Sequence, residues 1–156
     1  MSHIPVNHPL RPLYRVLAAL AGVYVLVFGV IGFVNTSGDG MFSREEKTVL
    51  GLQTNLAFSI MSIVAGLVII LAVFVGRNVD YAVNLWGGVA FLAVGLAMMA
   101  VLRTDMNVLN FSIATCIVSF VIGLVLFSAG LYGRSGTPEE REAVEADRHR
   151  TATARA

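Results

Sequence analysis

Residues 48–76 read TVLGLQTNLAFSIMSIVAGLVIILAVFVG, and this run contains no Asp, Glu, Lys, Arg or His. A helix needs about 20 apolar residues to cross a hydrocarbon core of about 30 Å. Apolar residues lie on every side of this helix, whereas a surface helix of a soluble protein keeps a polar face. The run therefore predicts a membrane-spanning helix over residues 49–75.

Three further runs of the same character predict spans over residues 16–34, 81–102 and 108–132. The first run holds about 19 apolar residues, more than the 7–15 of a signal-peptide core, so we expect a retained helix. The short links after spans two and three favour antiparallel neighbours. The predicted fold class is all-α integral membrane: four transmembrane helices in an up-down-up-down bundle over residues 16–133.

Two polar segments flank this domain. Residues 1–15 contain Pro5, Pro9 and Pro12 and predict an extended N-terminal arm. Residues 134–156 form a polar tail, in which Thr137-Pro138-Glu139-Glu140 has the pattern of a helix start. We expect a short polar C-terminal cytoplasmic helix that is either solvated or rests on another protein.

The basic residues predict the orientation. Eight lie on the side of the two termini, namely Arg11, Arg15, Arg77, Arg134, Arg141, Arg148, Arg150 and Arg155. Three lie on the other side: Arg44, Lys47 and Arg103. Because cytoplasmic segments carry the excess of Lys and Arg, both termini are predicted on the cytoplasmic side of the membrane. Tyr14, Tyr81, Tyr132 and Trp86 lie near the same interface, where amphipathic rings are enriched.

The loops contain helix-start chemistry. Ser43-Arg44-Glu45-Glu46 has the spacing of a capping box, which predicts that span two begins outside the bilayer as one long helix. The alternative is that this outer loop docks a partner. Asp80 and Asp105 are predicted N-caps of spans three and four.

Composition excludes several functional classes. Only 13% of the residues are charged, against roughly 25% in a soluble domain, and a single Cys forms neither an internal disulfide nor a zinc cluster. His3, His8 and His149 lie in the termini, so Met61, Met98 and Met99 are interpreted as packing rather than haem ligation. No catalytic, cofactor-binding or metal-binding residue is predicted in this chain, and no nucleic-acid partner is expected.

The candidate contact residues are small or weakly polar. Close helix approach is predicted by three small-x-x-x-small pairs, Ala18/Gly22, Ser62/Gly66 and Ser119/Gly123. Polar candidates within the spans are Asn55, Ser59, Ser62, Asn84, Asn107 and Asn110. They either bond within the bundle or contact a lipid head group or another subunit.

A weak internal repeat accompanies these motifs. Gly22, Leu26 and Gly29 in span one match Gly88, Leu92 and Gly95 in span three. Phe58-Ser59-Ile60 likewise matches Phe111-Ser112-Ile113, which suggests a parallel two-plus-two duplication.

Four motifs resemble an actinobacterial family of small four-helix membrane proteins of unknown function. They are His8-Pro9, Gly29-Val30-Ile31-Gly32-Phe33, Leu50-Gly51-Leu52-Gln53-Thr54-Asn55 and Asn107-x-x-Asn110. The resemblance covers about residues 8–133. The family pattern places His residues early in span two and an Asp and a His early in span four. This sequence has Phe58, Ser59 and Ser62, then Asn110 and Ala114, so a metal or proton role is not expected here.

Size and layout are also similar to those of small accessory subunits, of the CtaI type, in the actinobacterial supercomplex of cytochrome bcc with cytochrome c oxidase. This resemblance implies a multi-pass protein of the bacterial plasma (inner) membrane, a non-catalytic subunit that packs against other integral membrane subunits and phospholipid. Haem and copper would then be held only by partner subunits. Two alternatives are a small homo-oligomeric channel or transporter, and a membrane enzyme or redox protein for which the sequence supplies no catalytic group.

Overall fold

The computed structural model describes residues 8–137, 140, 142, 146 and 153. The element order is α1 (Arg11–Thr36), β1 (Lys47–Val49), β2 (Leu52–Thr54), α2 (Leu56–Val75), α3 (Val79–Val101) and α4 (Ile113–Gly133). All four helices are long and apolar enough to cross a membrane. The fold is therefore all-α with one small β-hairpin, as expected of a multi-pass membrane protein.

Helix α1 begins five residues before the predicted span. Pro12 lies in its first turn, where the missing backbone N–H costs no hydrogen bond. Residues 11–15 are therefore helical and do not belong to an extended arm, whereas residues 1–7 lie outside the described part of the chain.

The predicted capping box at Ser43 is wrong. The Ser43 hydroxyl accepts from the backbone N–H of Glu45, not Glu46, and no helix begins there. Residues 47–54 instead form an antiparallel hairpin in which Lys47 pairs with Thr54. Leu50 and Gly51 form its turn with φ of 50° and 82°, the left-handed values that a tight hairpin turn requires. Helix α2 therefore begins at Leu56 rather than at residue 49.

The predicted N-caps of the last two helices are also wrong. Asp80 lies inside the first turn of α3, after an Asn78 cap residue that makes no side-chain cap bond. Asp105 is exposed in the 102–112 loop, and α4 begins only after Ser112, which forms a reciprocal capping box with Thr115. By contrast, the predicted box of Thr137 and Glu140 is confirmed by hydrogen bonds of 3.1 and 3.2 Å in the two directions.

Two helix pairs, α1/α2 and α3/α4, pack closely through glycines. A Cβ on Gly66 would lie 2.8 Å from Leu26 Cα, and one on Gly123 would lie 2.8 Å from Leu92 Cγ. Leu26 and Leu92 are the equivalent leucines of the predicted repeat, so the same contact occurs in both pairs. In the second helix of each pair, this contact aligns Ser62-x-x-x-Gly66 with Ser119-x-x-x-Gly123. The predicted match of Phe58-Ser59-Ile60 with Phe111-Ser112-Ile113 is out of that register, because Ser59 lies inside α2 whereas Ser112 is the N-cap of α4.

The bundle has two distinct ends. The termini end holds the start of α1, the 76–78 link and the end of α4, and the hairpin end holds the β-hairpin and the 102–112 loop. An apolar core joins α1, α2 and α4 between them, through Ala18, Val25, Ile69, Ile122, Leu126 and Ala129. Val49 and Leu52 of the hairpin pack on Phe28 of α1, so the hairpin covers one end of this core.

Candidate functional site

Four features of the bundle are candidates for function. They are the buried amides at the hairpin end, an ionic cluster at the termini end, an apolar cleft between α2 and α3, and a polar pocket beside that cleft.

Asn55 is 1% exposed and caps α2, because its Oδ1 accepts from the backbone N–H of Phe58 at 2.9 Å. Its Nδ2 donates to the Val108 carbonyl at 2.8 Å. Asn55 therefore fastens the start of α2 to the loop before α4.

Asn107 and Asn110 complete these connections. Asn107 Oδ1 accepts from Phe111 N at 2.8 Å, and its Nδ2 donates to the Phe111 carbonyl at 2.9 Å. Asn110 has φ of 54° and donates through Nδ2 to the carbonyls of Glu45 at 2.9 Å and Thr54 at 3.3 Å. The amides thus donate to backbone carbonyls of the chain's own loops.

The serine hydroxyls are engaged in the same way. Ser59 and Ser62 donate to the carbonyls four residues earlier, Asn55 and Phe58, each at 2.8 Å. Ser59 Oγ also lies 3.1 Å from Thr54 Oγ1. These polar candidates therefore lie inside the bundle with partners in the same chain.

The small candidates are internal too. Ala18 is fully buried, and a Cβ on Gly22 would touch Ile69. Gly66 and Gly123 contact Leu26 and Leu92, as described above. Ser119 is 6% exposed on the inner face of α4. The predicted close approach of helices occurs within the chain, so these residues are not exposed to a partner.

Asn110 supports a testable prediction. Asn110→Ala keeps a β-carbon in the left-handed region but loses the amide that makes Asn tolerable there, which costs roughly 1–2 kcal/mol in addition to about 1 kcal/mol for each hydrogen bond. Asn110→Gly loses the same amide but also removes the β-carbon, so the backbone strain is absent. We expect unfolding in detergent micelles, followed by circular dichroism, to rank stability as wild type, then Gly, then Ala. Equal stability of the two variants would contradict a contribution from the backbone conformation.

Lys47 fastens the first loop to the end of α1. Its Nζ lies 2.7 Å from Asp39 Oδ2 and donates to the Asn35 carbonyl at 3.2 Å. The hydrogen bond to Asp39 raises the pKa of Lys47, while desolvation opposes it. Because the folded pKa is raised, this contribution to stability is present at neutral pH and is lost only as the pH rises above the ordinary lysine value.

The termini end contains a buried ion cluster that we call the arginine–aspartate cluster: Arg11, Arg15 and Asp80. Asp80 is 1% exposed, and its Oδ2 lies 3.3 Å from Arg15 Nε and 3.6 Å from Arg11 Nη2. Arg15 also donates to the Val73 carbonyl, and Arg11 Nε donates to the Gly133 carbonyl at 2.9 Å. The cluster thus connects α1 to the ends of the other three helices.

This cluster was not predicted, because Arg11 and Arg15 were used only to infer the orientation of the chain and Asp80 was interpreted as an N-cap. The signal was present, since Arg11 and Arg15 are four residues apart and share one face of a helix. One turn deeper than Asp80, Asn84 is 2% exposed, and its Oδ1 has no hydrogen-bond partner among the described residues.

An apolar cleft of about 190 Å³ opens between α2 and α3 in the hairpin half of the bundle. All four helices contribute to its wall, and Leu52, Leu109 and Phe111 line it at the hairpin end. Met61 and Val94, which line it from α2 and α3, are 50% and 38% exposed. The cleft therefore opens sideways, toward the apolar outer surface of the helices.

A polar pocket of about 390 Å³ adjoins the cleft at the hairpin end. Phe111 lines both. The charged residues of the pocket are Arg44, Glu46, Arg103 and Asp105, and Arg44 pairs with Asp105 at 2.7 Å. Like the arginine–aspartate cluster, the cleft and the pocket were not identified from the sequence, because each is built from segments far apart in the chain.

In the part of the chain described by the structure, no three His, Cys, Asp or Glu side chains come together as a metal site. Apart from Asn84 Oδ1, the amides and hydroxyls described above bond within the chain, and Cys116 is buried.

The family model described as a domain of unknown function, DUF4383, matches residues 15–132, which is most of the chain. No curated protein and no solved structure matches. The family match says nothing of a respiratory supercomplex, so that resemblance stays a prediction.

Proposed function

Since the chain belongs to the DUF4383 family, whose function is unknown, we propose its role from its own geometry: a non-catalytic accessory subunit of a bacterial respiratory complex. The observation that carries this proposal is where the polar groups lie. Nearly all the polar side chains that sequence analysis selected bond within the chain, while large apolar side chains cover the outer helix faces. Such a protein offers surface for contact rather than reactive groups.

The outer faces are suited to packing against other membrane helices. Phe74 of α2 is 82% exposed, and Trp86 of α3 is 70% exposed. Aromatic side chains bury 150–250 Å² each and dominate interface energetics. The resemblance of size and layout to accessory subunits of the cytochrome bcc–cytochrome c oxidase supercomplex directs the proposal to the oxidase side, where haem and copper belong to the partner subunits. Both termini would face the cytoplasm, as the basic residues indicate.

Purification with a mild detergent tests this role. A tagged chain expressed in its native host is expected to elute with oxidase subunits, identified by mass spectrometry, and with the reduced haem spectrum of the complex. A photo-crosslinking residue at position 74 or 86 should form an adduct with an oxidase subunit, whereas one at the fully buried Leu126 should not. Elution of the chain without oxidase subunits or haem would overturn the proposal.

A homo-oligomeric channel has less support. That hypothesis places Asn and Ser side chains between copies of the chain, but these side chains are buried and bonded inside one copy. Liposomes loaded with the protein are therefore expected to show no ion flux above protein-free liposomes. Flux that rises with protein loading would favour the channel instead.

A further inference from the structure

The cleft between α2 and α3 has an apolar wall and an opening at membrane depth. Met61 and Val94 line its mouth, and the neighbouring outward residues Val64 and Leu96 are 56% and 65% exposed. Because these exposed side chains belong to helices long enough to cross a membrane, hydrocarbon chains surround the mouth. The cleft is therefore continuous with the lipid phase.

An empty cleft at this place is unfavourable. Side chains that line a void lose dispersion contacts, and an apolar cavity does not hold water. The Ser62 hydroxyl, one of the few polar groups on the wall, already donates to the Phe58 carbonyl. An acyl chain fits these conditions, since it is apolar, flexible and present at the mouth.

The adjoining polar pocket contains charged side chains that can bind the head group of a lipid. Arg44 and Asp105 neutralise each other, and among the described residues neither Arg103 nor Glu46 has an ion-pair partner. One cation and one anion thus remain for a ligand. A phosphate suits Arg103 and an ammonium suits Glu46, which together match a zwitterionic phosphoethanolamine group.

We propose that the cleft and the polar pocket bind one phosphatidylethanolamine molecule, with an acyl chain in the cleft and the head group between Arg103 and Glu46. Phe111 lines both cavities, so chain and head group would meet beside this residue. This inference depends on the membrane location and not on the respiratory partner, so it stands or falls independently of the proposed function.

The test is native mass spectrometry of the full chain in detergent, titrated with dioleoyl phosphatidylethanolamine, phosphatidylglycerol or phosphatidylcholine. We expect one tightly bound phosphatidylethanolamine per chain and weaker binding of the other two lipids. Ala90→Phe places a ring in the cleft and should weaken binding about tenfold or more, since each displaced methylene loses its burial. Ala93→Phe is the matched control, on the same helix and exposed but not part of the cleft wall.

The head-group half has its own variants. Arg103→Gln and Glu46→Gln should each reduce the preference for phosphatidylethanolamine over the other two lipids. Arg77→Gln, an exposed arginine at the termini end, should leave it unchanged. A thermal shift with added phosphatidylethanolamine, present in wild type and absent in Ala90→Phe, separates lost binding from misfolding. Equal binding of all three lipids, or equal effects of Ala90→Phe and Ala93→Phe, would overturn the proposal.

Discussion

Gly88→Ala should destabilise the bundle strongly, while Gly87→Ala next to it should not. A β-carbon on Gly88 would lie 2.7 Å from Phe127 Cα and 2.8 Å from the Gly123 carbonyl oxygen. Both are backbone atoms of α4, so no side-chain rotation relieves the clash and the two helices must separate. Overpacking of this kind costs about 1–3 kcal/mol, and occasionally more.

The control isolates packing from helix propensity. Ala is favoured over Gly in a helix by about 1 kcal/mol, and both variants receive that gain. At Gly87 the nearest atom to an added β-carbon is Leu126 Cδ1, at 3.9 Å, which is ordinary contact. Unfolding of both variants by sodium dodecyl sulfate, followed by circular dichroism, measures the difference. Similar stability of the two variants would contradict the close α3/α4 approach.

Arg15→Met is expected to produce the second large effect, because it deprives the buried Asp80 carboxylate of its nearest cation. Removal of one partner of a buried pair costs about 3–5 kcal/mol. Arg15 is 37% exposed and Arg11 remains within 3.6 Å of the carboxylate, so the loss should fall near the lower end of that range. In an Asp80→Asn background, the same Arg15→Met change should have a much smaller effect.

A double-mutant cycle measures this coupling. The cycle of Arg15→Met with Asp80→Asn should show a coupling of about 2 kcal/mol, within the range found for residues in contact. The cycle of Arg44→Met with Asp105→Asn is the matched control, since that pair is exposed on both sides, and its coupling should be far smaller. Additive effects at residues 15 and 80 would show that the cluster does not stabilise the fold.

The helix boundaries show where sequence reasoning reached its limit. Residues 47–54 are uncharged after Lys47 and read as the first turns of a long helix, but Leu50 and Gly51 turn the chain into a hairpin. Hydropathy alone does not distinguish a hairpin from a helix here, because apolar residues such as Val49 and Leu52 suit a buried position in either structure. Asn55, selected as an intramembrane polar residue, turned out to be the N-cap of α2.

In the candidate site, too, the sequence indicated some features and not others. The polar residues could be selected as a set from the sequence, because uncharged amides and hydroxyls stand out in an apolar helix. Their partners were not predictable, since Asn110 bonds to Glu45 and Thr54, which are more than 50 positions away in the chain. Likewise, Asp80 was interpreted as a local cap because its arginines are on α1.

The sequence by itself determined four helices long and apolar enough to span a membrane, and the small residues that let them approach, since these follow from uninterrupted apolar runs and local spacing. Tertiary structure alone decided which backbone each glycine meets and that one carboxylate is held by two arginines. It also decided that α2 and α3 diverge to leave a cleft beside a polar pocket. The physical reason is the distance along the chain over which each effect acts. The free energy of transfer into lipid depends on each segment separately. Packing, ion pairing and cavities depend on side chains that only the folded chain brings together.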